Sequence, residues 1–458
     1  MRKTFFTAIA AVLVLSMVFG VLPVFAESDC HDSVFAAPFW DAPNGYNEHD
    51  YNKCVSFLEI ADENGVRNGT KVTSGYDPSD PTTWGSNWAN DFFEWVEIGG
   101  EKRIYKIDIA DRDLIGSLDL SDCSALNEIW MSSNNITGLN ISGCTALIKV
   151  NANWNAITDA DTSDCTTLKH LYISYNALSE LDISTCSQLE YLTCYANELS
   201  VLDVSHCPLL TDLYCQLNRL TELDISQNPA LETLDCSLNE LTALDVSNNT
   251  ALSEFTVSGN ALTELDVSNC AELRNFDCGS NELSELDVSC NTALIKLYCS
   301  GNKLTELDLS NNPELAYDSV IAVGNGYIGY DFLRRYYGDS GSLYAQPLGG
   351  AEFEGFFNES GELIGEGQWS NSYGAYVYSF EGLPVGTVFA RFTNAVPGDV
   401  DGNGSVTVAD AATALRIAME LFDGSGFNLD NADMDSNGSI TVSDAVVIMR
   451  MAMGLIGS

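Results

Sequence analysis

Near the C-terminus, two stretches place oxygen-bearing side chains at one repeated spacing. The first is Asp399-Val400-Asp401-Gly402-Asn403-Gly404-Ser405-Val406-Thr407-Val408-Ala409-Asp410. The second is Asp433-Met434-Asp435-Ser436-Asn437-Gly438-Ser439-Ile440-Thr441-Val442-Ser443-Asp444. Positions 1, 3, 5 and 12 carry Asp, Asp, Asn and Asp, and Gly404 and Gly438 stand where a sharp turn is needed. Ser405 and Ser439 offer backbone carbonyls at position 7, and position 9 acts through water. All-oxygen sets of this kind suit a hard divalent cation, so each loop is expected to hold one calcium ion, two in all. The ligands would be Asp399, Asp401, Asn403, Ser405 and Asp410, then Asp433, Asp435, Asn437, Ser439 and Asp444.

These loops need helices to hold position 12 and to close the turn. An apolar helical pattern follows each loop, but no full helix precedes it, and Asp stands at position 12 where the EF-hand has Glu. The duplicated arrangement from Pro397 to Gly454 resembles the type I dockerin of cellulosome-like assemblies. The resemblance implies a cohesin on a scaffold protein as partner. It also implies that loop positions 10 and 11 and a pair in the next helix read that cohesin. Carried over, these are Val408, Ala409, Leu415 and Arg416, then Val442, Ser443, Met449 and Arg450. Many family members have Ser-Thr and Lys-Arg there, so this chain is more apolar. Two near-equivalent faces imply binding of one cohesin in either of two orientations.

Upstream, the chain repeats every 21 residues from Ile104 to about Leu315. Leu126, Leu147, Leu168, Leu189, Leu210, Leu231, Leu252, Leu273 and Leu294 form one column, and Asn recurs eight residues after each, from Asn134 to Asn302. A period near twenty is the mark of a solenoid, whose turns bury their apolar side only against neighbouring turns. The pattern L-x-x-L-x-[CLIV]-x-x-N-x-L resembles the leucine-rich repeat family. The short step after each leucine is a strand, and the Asn amide is placed to bond the backbone of its own turn and of the neighbouring one.

Most cysteines fall into two repeat columns. Cys123, Cys144, Cys165, Cys186, Cys207 and Cys270 alternate with Asn228, Asn249, Asn291 and Asn312. Cys194, Cys215, Cys236, Cys278 and Cys299 alternate with Met131, Ile173 and Val257. A column that accepts Met, Ile and Val is a core column, so its cysteines act as small hydrophobes. The reach between successive turns also allows disulfides. Cys30 and Cys54 lie outside the array, and both a pair between them in an oxidising compartment and two free thiols stay open. Cys290 is one residue out of register.

On the outward side of the strands, Trp130, Tyr172 and Tyr214 share a column, with Trp154, Tyr175, Tyr191 and Tyr195 beside it. Such rings stack on sugars or anchor proteins, and they are also ordinary strand formers. These seven residues are the candidate ligand face. Asp119, Asp161, Asp182, Asp203, Asp224, Asp245, Asp266, Asp287 and Asp308 line another edge, with Asn140 in place of one. A calcium ladder is one reading of them. A solvated edge in which each Asp bonds its own turn is the favoured one.

The fold class expected is multidomain. Residues 1–26 read as a secretory signal peptide, from Arg2 and Lys3, an apolar run and Val24-Phe25-Ala26. Residues 27–103 are an aromatic-rich N-terminal cap, where His31, His49, Asp41 and Asp50 show no metal-ligand spacing. Residues 104–316 are the leucine-rich repeat solenoid with its parallel β face. Residues 317–396, through Phe353-Glu354-Gly355-Phe356-Phe357, resemble the B-repeat of bacterial internalins, a small β module. Residues 397–458 are the small α calcium-binding dockerin with paired EF-hand-like loops. A formal charge of −45 disfavours nucleic acid and anionic lipid, and no run after the leader is long enough to span a membrane.

The leading expectation is a secreted, extracellular, non-catalytic protein, held at a cell surface where a scaffold protein anchors it. It would dock through calcium-dependent cohesin binding, with the repeats gripping a glycan or protein. A protease or enzyme inhibitor acting on the complex, or a surface adhesin, stay open as alternatives.

Overall fold

The computed structural model describes residues 41–85, 92–315, 319–323, 326–335, 338–347, 351–358, 360–381, 388–392, 406, 408–419, 434 and 439–453. The chain divides into Met1–Phe39 and Trp40–Ser458. The first unit, with the expected leader, Cys30 and His31, lies outside the described residues, and the fold below is that of the second.

The repeat columns fold as their periodicity dictates. The first turns add a small sheet of Ile115–Asp119, Asn135–Asn140 and Asp159–Asp161. Each turn contributes one short strand to the main sheet, such as Lys149–Asn151, His170–Tyr172, Tyr191–Thr193 and Asp212–Tyr214. These pair in parallel with residues 21 apart directly opposite: Leu171 faces Leu192 and Leu213 faces Leu234. The central residue of each strand points inward and is buried, as at Leu171, Leu192 and Leu213, while its neighbours face out. Burying each leucine contributes roughly 2 kcal/mol, but only when the next turn covers it.

Hydrogen bonds lock the stack. The Asn197 amide donates to Ile173 O and Cys194 O at 3.0 Å and accepts from Leu178 N at 3.0 Å. Asn176, Asn218 and Asn239 repeat that pattern. One side chain thus satisfies its own turn and the turn before it.

The Cys/Asn column has the same logic. Asn228 Nδ2 donates to Val204 O at 2.9 Å and to Cys207 O at 2.8 Å. One turn earlier, the Cys207 thiol points at Ile183 O and Cys186 O, at 3.9 and 3.6 Å. Thiol and amide interchange because both donate to the same pair of carbonyls; the amide is the stronger donor but brings an extra oxygen. The Oδ1 atoms of Asn228, Asn249, Asn291 and Asn312 are indeed buried without a partner.

Both edges of the parallel stack are covered. At one edge, Phe93–Ile98 pairs antiparallel with Glu101–Asp108, the first strand of the stack. Helix Glu48–Leu58 lies beside it, burying Tyr51, Cys54, Val55 and Leu58, with Trp84 stacked on Tyr51 at 5.4 Å. Buried Asp50 accepts from Arg103 at 2.7 and 3.0 Å and from Ile104 N at 3.0 Å, which pins the helix to the stack.

At the other edge, Gly326–Arg335 pairs antiparallel with Lys296–Tyr298, and Ser319–Val323 with Glu306–Asp308. The sheet therefore runs on into Gly338–Pro347, Ala375–Glu381 and Gln368–Ser370. A second sheet joins Glu306–Asp308 and Ser319–Val323 to Val388–Phe392, Phe353–Phe357 and Leu363–Gly365. Ile328, Leu343, Phe356, Val388 and Phe392 belong to the same core as the repeats. Residues 319–392 thus close the open end of the array.

Two helices, Val408–Ala418 and Val442–Ala452, pack on each other around a separate core of Ala411, Ala414, Ala445 and Ile448.

Replacing Asn197 by Ala orphans the buried Leu178 N–H and removes one of the two amide bonds to each of Ile173 O and Cys194 O, which Asn176 and Asn218 still hold, so urea unfolding should show a loss of about 2 kcal/mol. Replacing exposed Asn248 by Ala should cost less than about 0.5 kcal/mol. Equal losses for the two variants would contradict the role given to the inner column.

Candidate functional site

The C-terminal helices carry the first candidate surface. Thr441 caps the second helix: its side chain accepts from Ser443 N, and Asp444 returns a bond to Thr441 N at 2.8 Å. The other Asp444 oxygen accepts from Met434 N at 2.9 Å. Position 12 of the second loop is thereby tied back to position 2.

Asp399, Asp401, Asn403, Ser405, Asp433, Asp435 and Asn437 lie outside the described residues. Asp410 sits in the first turn of helix Val408–Ala418, and Ser439 is exposed just before the second helix. The donor set fits calcium, being oxygen throughout, and the inward hold on Asp444 brings the ends of its loop together.

Helix packing leaves an apolar stripe on each helix. Val408, Leu415 and Met419 are exposed on one, and Val442, Val446 and Met453 on the other. The stripes correspond at an offset of 34 residues: Val408 with Val442, Ala412 with Val446, Leu415 with Met449 and Met419 with Met453. Of the residues expected to read a cohesin, Ser443 and Arg450 are also exposed, while Met449 is half-buried against the small core. The side chains of Ala409 and Arg416 lie outside the described residues. Sequence reasoning missed Met419, Val446 and Met453. The signal was present, since they continue the i, i+4, i+7, i+11 spacing from Val408 and Val442.

The strand face is the second candidate. Tyr191 lies against Tyr172 at 5.1 Å and against Tyr214 at 5.7 Å, so three neighbouring strands share one ring surface. Trp154 and Tyr175 stack at 3.6 Å, with Tyr195 edge-on to Tyr175 at 5.1 Å. The Lys149 ammonium lies 4.5 Å from the Trp130 ring and 5.3 Å from Tyr172. All seven expected face residues are half-buried on one run of turns. Further along, the same outward column changes to Asp235 and Asp277, whose carboxyls burial pushes up from the usual range.

The acidic edge behaves as a set of local turns. Asp161, Asp182, Asp203 and Asp224 each accept from the N–H of the serine two residues on, at 2.9 to 3.0 Å. Asp245, Asp266, Asp287 and Asp308 do the same at 2.8 to 2.9 Å. Bonds from the serine side chain and N–H hold these carboxyls below the usual range. Each carboxylate is used by its own turn, as the favoured reading expected.

His49, Asp50 and Cys123 come within reach of a common ion. Asp50 is already committed to Arg103, and burial pushes the Cys123 thiol far up, so this cluster reads as a structural junction. Among the array cysteines, burial holds the Cys194 and Cys207 thiols at about 12. Cys290 is exposed.

Two outcomes follow. A thiol reagent should modify Cys290 in the native protein and reach Cys194 and Cys215 only on unfolding; fast native modification of Cys194 would contradict the buried column. The second concerns pH. Ionised Asp235 destabilises the fold, because its folded value lies above the unfolded one, and that penalty disappears as pH falls through the folded value. Asp235→Asn should therefore melt at an equal or higher temperature than the parent at pH 7, with the gap narrowing toward pH 4. The lowered edge carboxyls act oppositely: their stabilisation is complete above the unfolded value and is lost only below about pH 4. A large drop in melting temperature for Asp235→Asn at pH 7 would refute this assignment.

Comparison with known proteins agrees with this layout at the C-terminus. Residues 397–451 match the Dockerin type I domain. No curated protein sequence matches the chain. Among solved structures, the functional domain of InlJ from Listeria monocytogenes, described as including a cysteine ladder, is similar at 24% identity over 65% of this chain and 84% of that one, TM-score 0.39. The internalin InlF of the same organism is similar at 19% identity over 43% and 69%, TM-score 0.37. YopM from Yersinia pestis, a leucine-rich effector protein, is similar at 20% over 44% and 62%, TM-score 0.37. The chain carries a type I dockerin domain at residues 397–451 behind a solenoid of 21-residue leucine-rich turns.

Proposed function

We propose that this is a secreted, non-catalytic protein that docks into a cellulosome-like complex by binding a cohesin through residues 397–451. The observation that carries the reading is the dockerin match together with two corresponding apolar stripes on the paired helices. Val408, Leu415 and Met419 make one face, and Val442, Val446 and Met453 the other. Isolated apolar residues on a surface are ordinary, but matched stripes on a duplicated motif suit a partner with an apolar surface.

Calcium, when bound, supplies charge neutralisation to the loop carboxylates and couples their gathering to folding. Asp410 and Asp444 stand where each loop meets its helix, so holding them holds the helix starts in place.

In this reading the array is the cargo. Its strand face, centred on Tyr172, Tyr191 and Tyr214, is a binding surface for a protein or a glycan that the docked complex brings near. Restraint of an enzyme in the complex, or adhesion to a surface, would use the same face. Among the described residues, no helix is long and apolar enough to cross a membrane.

Binding of the full chain to a type I cohesin, measured by calorimetry, tests the proposal. Binding should be abolished by EDTA and restored by calcium. Val408→Asp with Met419→Asp should leave affinity within about threefold, as should Val442→Asp with Met453→Asp. All four changes together should cost at least about a hundredfold. Loss through either pair alone would reduce the two faces to one, and binding that survives EDTA would discard calcium-dependent docking.

A further inference from the structure

The face at residues 130–216 is built at a cost that the solenoid itself does not require. Residues 133, 154, 175, 196, 217, 238, 259, 280 and 301 occupy one corner of successive turns, and every one has φ between 52° and 71°. Gly259 and Gly301 meet that left-handed geometry without strain. Trp154 and Tyr175 adopt it with bulky side chains, which is disfavoured. They use it to stack on each other at 3.6 Å beside the strand face. Ala196, Leu217 and Leu238 take the same corner, so the turn accepts many side chains; residues 154 and 175 fill it with rings that stack on each other.

Four polar groups in the same turns are also unusual. Ser174 Oγ, Thr193 Oγ1, His170 Nδ1 and Gln216 Oε1 are buried without a partner. Ser174 is fully buried and Thr193 is 6% exposed. The equivalent of Ser174 three turns on is Ser237, whose hydroxyl donates to Asp235 at 2.6 Å. Tyr172 stands where Asp235 would be, so the ring that joins the platform also deprives the hydroxyl of its acceptor. A buried unpaired polar atom is costly, and four in neighbouring turns, two of them hydroxyls, call for a ligand or water to complete them. Their surfaces are covered in the free protein, so a ligand would reach them only as neighbouring side chains move aside.

Charge narrows the ligand class. The chain carries −45 overall. Within the patch, Lys169 pairs with Glu190 at 2.6 Å, Lys149 lies over Trp130 and Tyr172, and Trp130 Nε1 donates to Glu128 at 3.0 Å. Asp212, across from Tyr191, adds a further carboxylate, so an anionic polymer is disfavoured here, while a basic protein has the longer row of edge carboxylates to meet. Flat rings with hydroxyl, amide and imidazole groups between them suit a ligand with apolar C–H faces and neutral hydroxyls.

We propose that the ring platform of Trp154, Tyr175, Tyr172, Tyr191 and Tyr214 binds a neutral polysaccharide, whose sugar faces stack on the rings and whose hydroxyls reach Ser174, Thr193, His170 and Gln216. This rests on the reading of the strand face as a binding surface and gives that face one chemical class.

The test is affinity electrophoresis of the full chain through gels holding a soluble β-1,4-glucan, an arabinoxylan or a galactomannan, with a polyuronate as the charged control. At least one neutral polymer should retard the parent more than the polyuronate does. Trp154→Gly and Tyr175→Gly should weaken that retardation about tenfold or more while melting within about 3 °C of the parent. Thr193→Val should lower affinity several-fold yet melt no lower, since it removes an unpaired hydroxyl. Retardation by none of the neutral polymers overturns the proposal, as does retardation unchanged in the glycine variants. If those variants instead abolish binding to a protein, the face is a binding surface but the glycan class is wrong. Cohesin binding, measured on the same preparations, should not change; its absence in the parent would count against docking alone.

Discussion

Each turn of the array is joined to the turn before it by an inner-column asparagine amide, buried or half-buried. Asn197 reaches across to Ile173 and Leu178, and Asn218 reaches across to Cys194 and Leu199. Everything else in the array depends on that tie. It sets the 21-residue register, so leucines meet leucines across the stack. It also fixes the corner at which residues 154 and 175 take left-handed geometry. With the backbone satisfied internally, the outward strand residues are left free to vary, and they do: rings in the early turns, carboxylates at Asp235 and Asp277 in the later ones.

The two candidate surfaces are made in opposite ways. The strand face is rigid, because its rings stand on a sheet continuous from Phe93–Ile98 through Gln368–Ser370. The helix pair has only a small core of its own, Ala411, Ala414, Ala445 and Ile448. A core of that size calls for a further staple, which is the role a loop-bound cation fills in small domains. In the proposed reading, the rigid surface holds a ligand and the ion-dependent one docks.

The solenoid was legible in the sequence because its period is strict and each column has a single physical task. The dockerin was legible because ligand spacing is set by the ion. The interchange of Cys with Asn at positions 207 and 228 was visible but not explained, since it depends on two carbonyls that only the folded stack brings together. The sharing of one core between the repeats and residues 319–392 was not legible either: antiparallel pairing of Gly326–Arg335 onto Lys296–Tyr298 is a long-range choice with no local signature. Met419 and Met453 lie beyond the positions that the resemblance carries over, although the helical spacing runs on to them. The unpaired hydroxyls at Ser174 and Thr193 follow from which residue stands two places away or one strand across.

The central claim is that the paired helices, and not the repeats, hold the scaffold partner. Hydrogen–deuterium exchange on the full chain in calcium, with and without a type I cohesin, tests it most directly. The account predicts new protection at residues 408–419 or 442–453 and no change in the strands from Glu128–Trp130 to Asp212–Tyr214. Protection that appeared on those strands and left both helices unchanged would contradict it.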